Sequence, residues 1–162
     1  VLAILRRLRF SNADAAWIAS VVTRWGGLEG EMRLTLQGAD APTDAALRRW
    51  AAIAGRTRLA SVLRLADAHW RAERDAGIPA PSGQSVASAY RRAIRIAYRD
   101  PIEVSDLAVN GRDLERIGIT GPRVGEILRS LLESVIYDPA ANSPSTLLEM
   151  ARKQIAATLT KD

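Results

Sequence analysis

The 162-residue chain contains no cysteine and only one histidine, His69. The absence of cysteine excludes disulfides and thiolate metal sites, and it fits a reducing compartment such as the cytoplasm. A single histidine cannot supply a histidine metal cluster or a His–Asp phosphohydrolase pair. We therefore predict no metal site in this chain and interpret His69, beside Trp70, as a packing or surface residue.

Long apolar runs and strand-like alternation are also missing. Arginines interrupt the longest apolar runs, so we expect neither a signal peptide nor a membrane span. The segment Met32–Gln37 comes closest to the alternation of a strand, but it is short and lies between glycines. Aromatic residues make up 5% of the chain. The sequence predicts an all-α fold, a helical array of about seven helices arranged as two packed sub-bundles.

Capping residues and glycines predict where the early helices begin and end. We expect a second helix to begin after Ser11, with Asp14 three residues on, and to stop at Gly26–Gly27. Residues 26–42 would then form a glycine-rich connector closed by Pro42. A helix that begins at Thr43 or Asp44 is expected to end at a glycine, Gly55.

The stretch Ile78–Gln84 is dense in proline, glycine and serine, which makes it the best linker candidate. It divides the chain into a helical neck or body region, residues 1–77, and a helical tail region, residues 85–162. The tail contains a glycine turn at 118–125, and Ser143–Pro144 opens its last helix.

The charge balance is strongly basic. The formal net charge is +5, the isoelectric point is near 10.4, and nearly every basic residue is arginine. A guanidinium group binds phosphate with two parallel hydrogen bonds, so this balance favours an acidic polymer as partner. A genome of high G+C content would also favour arginine codons, so charge alone leaves both explanations open.

The most informative segment is the glycine turn, with the sequence GITGPRVG. Gly121 before Pro122 predicts a helix start, because proline suits the first helical position and glycine permits unusual backbone angles before it. The next backbone N–H groups are unpaired at the positive end of the helix dipole, and Arg123 stands beside them. This arrangement predicts a contact with phosphate. The alternative is that the glycines only let two helices turn sharply and pack closely.

Arginines surround this turn, and an arginine pair stands on an earlier predicted helix. The candidate phosphate-binding residues, which become RNA-binding candidates through the resemblance described below, are Arg112, Arg116, Gly121, Arg123, Gly125, Arg129, Arg48 and Arg49.

No catalytic constellation is present, and we predict no catalytic residues. The carboxylates are scattered near helix starts and arginines, where they commonly serve as caps or ion pairs. Gly26–Gly27 is no phosphate loop, since it lacks a preceding strand and a following Lys-Ser/Thr.

Three segments together resemble the C-terminal half of bacterial tRNA nucleotidyltransferases (CCA-adding enzymes) and their poly(A) polymerase relatives. The first is LRRLRFSNADAAWIASVV, the second APTDAALRRWAAIAGRTRLASVLRLADAHW, and the third DLAVNGRDLERIGITGPRVGEILRSLLESVIYDPAANSPSTLLEMA. They cover nearly the whole chain, and the third, in which a glycine-proline turn opens a long helix, is the most specific.

The resemblance implies a parent protein whose N-terminal head uses ATP, CTP and Mg²⁺ to add nucleotides to an RNA 3′ end. The helical C-terminal part would hold tRNA, or another RNA, for that head. None of the head's motifs are in this chain, and Val1 falls within an apparent helix, so we expect a segment of a longer protein. An HD domain, as some relatives carry, would have to precede Val1. Nucleotide specificity (CCA, A, CC or poly(A)) belongs to the head.

Two other hypotheses stay open. The turn also resembles a helix–hairpin–helix element of DNA-binding proteins. Exposed apolar residues of the first or last helix would instead suit a protein-interaction or dimerisation domain.

Overall fold

A computed structural model describes residues 1–159 of the chain. Its helices are α1 (Leu2–Arg7), α2 (Asn12–Gln37), α3 (Asp44–Ala54), α4 (Leu59–Asp75), α5 (Gly83–Arg99), α6 (Gly111–Arg116), α7 (Pro122–Tyr137) and α8 (Pro144–Leu159). Short 3-10 turns lie at Val104–Asp106 and Pro139–Ala141. No strand occurs within residues 1–159, so the predicted all-α fold is confirmed, with eight helices where about seven were expected. None of the described helices is long and apolar enough to cross a membrane.

The chain forms two compact units, the first from Val1 to Tyr98 and the second from Arg99 onward. The predicted linker at 78–84 lies inside the first unit, which also contains most of α5. Polar contacts link α5 to α3 and to the turn between α3 and α4. Arg92 pairs with Asp44 at 2.7 Å, and Arg56 donates a hydrogen bond to the carbonyl of Ala97 at 2.6 Å.

Helix α2 corrects a prediction, because it continues through Gly26–Gly27 to Gln37. Its buried residues keep helical spacing on both sides of the glycines: Val21, Trp25, Leu28, Met32 and Leu36. A glycine within a helix costs about 1 kcal/mol relative to alanine, whereas burying one large apolar side chain gains about 1.5–3 kcal/mol. Burial therefore outweighs the local preference of glycine to end a helix.

Polar contacts hold the second half of α2 against its neighbours. Glu31 accepts a hydrogen bond from the indole N–H of Trp50 at 3.0 Å. Arg33 bonds both Glu29, at 2.6 Å, and Glu73 of α4, at 2.8 Å. Hydrogen bonds to Glu29 and then Glu73 raise the pKa of Arg33 above its ordinary value. The segment predicted as a connector is thus an integral helix of the first unit.

The helix boundaries predicted at Ser11, Thr43 and Gly55 are confirmed. The Ser11 hydroxyl accepts a hydrogen bond from the Asp14 N–H at 3.0 Å, as the N-cap of α2. The Thr43 hydroxyl does the same for Ala46 at 3.1 Å in α3. Gly55 follows α3 with φ of 75°, a conformation that glycine adopts without steric cost.

The second unit is built on α6, α7 and α8. Leu114, Leu131 and Leu147, one from each helix, are fully buried in its core. The Asn142 side chain ties two loops together: its oxygen accepts from the Ala108 N–H at 2.8 Å, and its amide donates to the Asp106 carbonyl at 3.0 Å. This core gives the α6–α7 turn a rigid base.

Candidate nucleic-acid interface

The turn between α6 and α7 begins with a well-formed helix end. Gly118 has φ of 90°, and its N–H donates to the Glu115 carbonyl at 3.0 Å, while the Ile119 N–H donates to the Leu114 carbonyl at 3.1 Å. This pair of bonds is the Schellman motif, and the accompanying apolar contact is expected between Leu114 and Ile119. Both side chains are buried, so the turn is anchored in the core of the second unit.

Gly121 is the N-cap of α7, with φ of 65° and ψ of −147°. Residues other than glycine hardly ever adopt this conformation. A Cβ added at Gly121 would meet no atom within 4 Å, so its backbone angles, and not crowding, require glycine. Pro122 follows at the first helical position, as predicted.

Close packing, the alternative explanation for the glycines, applies to Gly111. A Cβ there would lie 3.3 Å from Cγ1 of Val124 in the first turn of α7. Gly111 therefore lets the beginning of α6 approach the beginning of α7. Gly111 lies outside the 118–125 turn, and within that turn a Cβ on Gly118 or Gly121 would meet no atom within 4 Å, so close packing does not account for those two glycines.

The start of α7 lacks the polar cap that most helices of the described chain possess. Five other helices begin with a side-chain oxygen that accepts a backbone N–H: Ser11, Thr43, Ser82, Asn110 and Ser143. Gly121 has no side chain to do so, and no acidic residue lies in the first turn of α7. The positive end of this helix dipole is consequently not neutralised locally.

Three predicted arginines beside this turn carry no internal partner. Arg112, Arg123 and Arg129 make no side-chain hydrogen bond or ion pair with the part of the chain that the structure describes. Arg116 differs, since it pairs with Asp113 at 2.8 Å on the surface. Three guanidinium groups in this small region are thus available to an external anion.

Gly125 lies in the second turn of α7, next to the Arg129 side chain. A Cβ on Gly125 would lie 3.5 Å from Nη2 of Arg129. Helical side chains point toward the N-terminus of their helix, and the Arg129 guanidinium accordingly reaches back one turn to Gly125. The structure therefore brings Gly125 and Arg129 together, whereas Arg123, two residues before Gly125, projects from a different side of α7.

Arg48 and Arg49 lie elsewhere, on α3 of the first unit. Arg48 is only 8% exposed and engaged in interactions inside the protein, so its side chain does not form part of an open surface. Arg49 is exposed but pairs with Glu31 at 3.1 Å. The predicted set is divided between the two units, with six members in the second.

A cluster of arginines on α4 is not among the predicted site residues. Arg64, Arg71 and Arg74 line a cavity together with Arg91 of α5. Their spacing along α4, seven residues and then three, places all three on one helical face and was the available signal.

The described residues contain no metal-binding cluster. Nowhere in residues 1–159 do three His, Cys, Asp or Glu side chains converge as metal ligands. His69 lies 3.3 Å from Glu73 and stands edge-on to the Trp25 ring, with centroids 5.9 Å apart. It is a half-exposed packing residue, as the sequence predicted.

No protein-family model, curated protein or solved structure matches the chain.

Proposed function

We propose that this chain is an RNA-binding module, the C-terminal part of a tRNA nucleotidyltransferase or poly(A) polymerase. It would hold the tRNA body while an N-terminal head adds nucleotides to the 3′ end. The observation that carries the proposal is the group of three unpartnered guanidinium groups, Arg112, Arg123 and Arg129, around the uncapped start of α7. The group lies in the segment that most closely resembles that family.

The proposed contact is with the phosphate backbone. Backbone N–H groups and arginines fix the position of a nucleic acid without reading its sequence. Folded RNA is recognised mainly by shape, 2′-hydroxyls and phosphates. The guanidinium of Arg123, at the second position of α7, would bind the same phosphate as the Arg123 backbone N–H, whereas the Val124 N–H already donates to the Gly121 carbonyl at 3.2 Å. Arg129 would bind an adjacent one.

The roles of the remaining predicted residues follow from their surroundings. Arg116 shares its charge with Asp113, so its contribution to RNA binding would be smaller than that of Arg123. Gly121 and Gly125 would act through the backbone, Gly121 by starting α7 without a capping side chain and Gly125 by leaving the surface beside Arg129 open. Arg49 would be at most a secondary contact, since Glu31 already binds its guanidinium.

The described residues supply no metal ligands for the nucleotide-addition reaction of the proposed parent protein. Mg²⁺, ATP and CTP belong to the nucleotidyltransferase head, and the described residues do not fit the metal, because they bring no cluster of carboxylates together. The module would therefore contribute binding and positioning only.

Binding of the chain to unmodified tRNA, compared with duplex DNA of equal charge across a salt series, tests this proposal. We expect preferential tRNA binding that weakens as salt rises, with a slope of log affinity against log salt of about one per phosphate contact. Preference for duplex DNA would favour the helix–hairpin–helix alternative. Equal, weak binding to both polymers would contradict the tRNA-holding role.

A protein-interaction role has one observation in its favour. The first seventeen residues expose several large apolar side chains, which are Val1, Leu2, Ile4, Leu8, Phe10 and Trp17. Clustered exposed apolar residues commonly mark interaction surfaces. Sedimentation of the chain with and without Ile4→Ser and Leu8→Ser tests this role: a dimer that the changes dissociate would support it.

A further inference from the structure

A cavity of about 430 Å³ lies between α4 and α5 in the first unit. This volume falls in the range of small-molecule sites, about 300–1,000 Å³. Its residues come from one face of each helix. On α4 they are Leu63, Arg64, Asp67, Arg71 and Arg74, and on α5 they are Gly83, Val86, Ala87, Tyr90 and Arg91.

The charge of the lining is strongly positive. Four arginines face one carboxylate, Asp67, and the Asp67 charge is offset by Arg71 at 2.9 Å. Arg64 and Arg91 are exposed and have no hydrogen-bonding or ionic partner in the part of the chain that the structure describes. Like charges held close together are unfavourable without a counter-charge, so the cavity is suited to an anion.

Arg74 is the cavity arginine that the protein backbone holds in place. Its guanidinium donates to the Pro81 carbonyl, which fixes the segment leading into α5. The same guanidinium lies 3.7 Å from the position of a Cβ on Gly83. One cavity arginine is therefore held in place by the backbone, while Arg64 and Arg91 stay free for a ligand.

The lining also has an apolar and aromatic side. Leu63 and Val86 are buried, Ala87 is exposed, and the half-buried Tyr90 ring adds a flat surface and a hydroxyl. Guanidinium groups bind phosphate bidentately, and aromatic rings stack on planar bases. The combination suits a ligand with a phosphate at one end and a flat ring at the other.

We propose that this cavity, between α4 and α5, binds a phosphate monoester carried on a planar ring, of which a nucleoside monophosphate is the simplest example. Arg64 and Arg91 bind the phosphate, and Tyr90 and Val86 contact the ring. The site lies in the first unit and shares no residue with the proposed RNA contact on α7.

Calorimetric titration of the chain with AMP, inorganic phosphate and adenosine tests this site. AMP should bind, adenosine should bind much more weakly, and phosphate alone should compete with AMP. The double variant Arg64→Ala/Arg91→Ala should weaken AMP binding about tenfold or more, since it removes charge-assisted hydrogen bonds. Arg95→Ala is the matched control, because Arg95 is exposed on the same helix outside the cavity, and it should bind AMP like the unchanged protein.

A second variant guards against loss of folding. Ala87→Glu places a carboxylate at the cavity wall, where it repels a phosphate, and it should therefore abolish AMP binding. Because Ala87 is exposed, the change should not lower the melting temperature. AMP binding that persists in both variants would overturn the proposal. So would the absence of binding by every phosphate-bearing probe.

A short 5′-phosphorylated RNA distinguishes the source of the phosphate. If AMP binds, the ligand class is a free nucleotide. If only the RNA binds, and Arg64→Ala/Arg91→Ala abolishes it, the site holds a phosphorylated RNA end, and the phosphate chemistry stands. Arg123→Ala should leave AMP binding unchanged, so this site and the proposed tRNA contact can fail independently.

Discussion

Gly111 and Val124 are in such close contact that a methyl group on Gly111 would lie 3.3 Å from Cγ1 of the valine. This contact joins the first turns of α6 and α7, and these two turns carry Arg112 and Arg123. A change at Gly111 should therefore affect both the stability of the second unit and its proposed interface.

Gly111→Val should destabilise the second unit by about 1–3 kcal/mol, because its extra methyl groups would overlap Val124. Val124→Ala in the same chain should recover part of that loss, and a double-mutant cycle in chemical denaturation measures the coupling. Additive effects would show that the two residues do not contact each other in solution.

The glycines within α2 should tolerate alanine. Gly26, Gly27 and Gly30 are helical, and a Cβ on any of them would meet no atom within 4 Å. Each change to alanine should stabilise the first unit by about 0.5–1 kcal/mol, since alanine loses less backbone entropy on folding. Urea unfolding of the triple variant measures the sum, and a decrease in stability would mean that α2 is interrupted there.

Gly121→Ala is the opposite case. The space around the glycine is open, but its backbone angles are unfavourable for alanine, so the change should cost about 1–3 kcal/mol. Thermal unfolding measures this cost. A neutral result would show that the start of α7 adopts a different conformation in solution.

Leu131→Ala should remove about 2–5 kcal/mol from the free energy of unfolding. Leu131 is 0% exposed at the centre of the second unit. The control is Leu34→Ala, because Leu34 is 76% exposed on α2 and its truncation should cost less than about 0.5 kcal/mol. A loss that small at Leu131 would contradict the described core.

Arg123→Ala should weaken tRNA binding and lower the salt slope by about one, as expected for one lost phosphate contact. The melting temperature should hardly change, because Arg123 has no internal partner in the described residues. Arg152→Ala is the control, an exposed arginine of α8 without a described partner. Equal tRNA affinity in both variants and the unchanged protein would remove Arg123 from the interface.

Most of the local structure was predictable from the sequence because its causes are local. Ser11 and Thr43 cap the helices that follow them, Gly55 ends α3, and Gly121–Pro122 starts α7. In each case a hydrogen bond or a backbone preference acts within a few residues. The helical periodicity likewise placed Leu131 in the core.

The tertiary structure decided what depends on residues distant in the sequence. Burial of Leu28 and Met32 carries α2 across glycines that would end an isolated helix. Arg48 is buried, although its sequence neighbourhood resembles that of the exposed Arg49. The cavity between α4 and α5 exists only because two helices separated by a loop place the arginine-rich face of α4 beside the mainly apolar face of α5. Hydrogen-bonded caps and glycine backbone angles depend on residues that are neighbours in the sequence. Burial and charge clustering depend on segments that come together only in the folded protein.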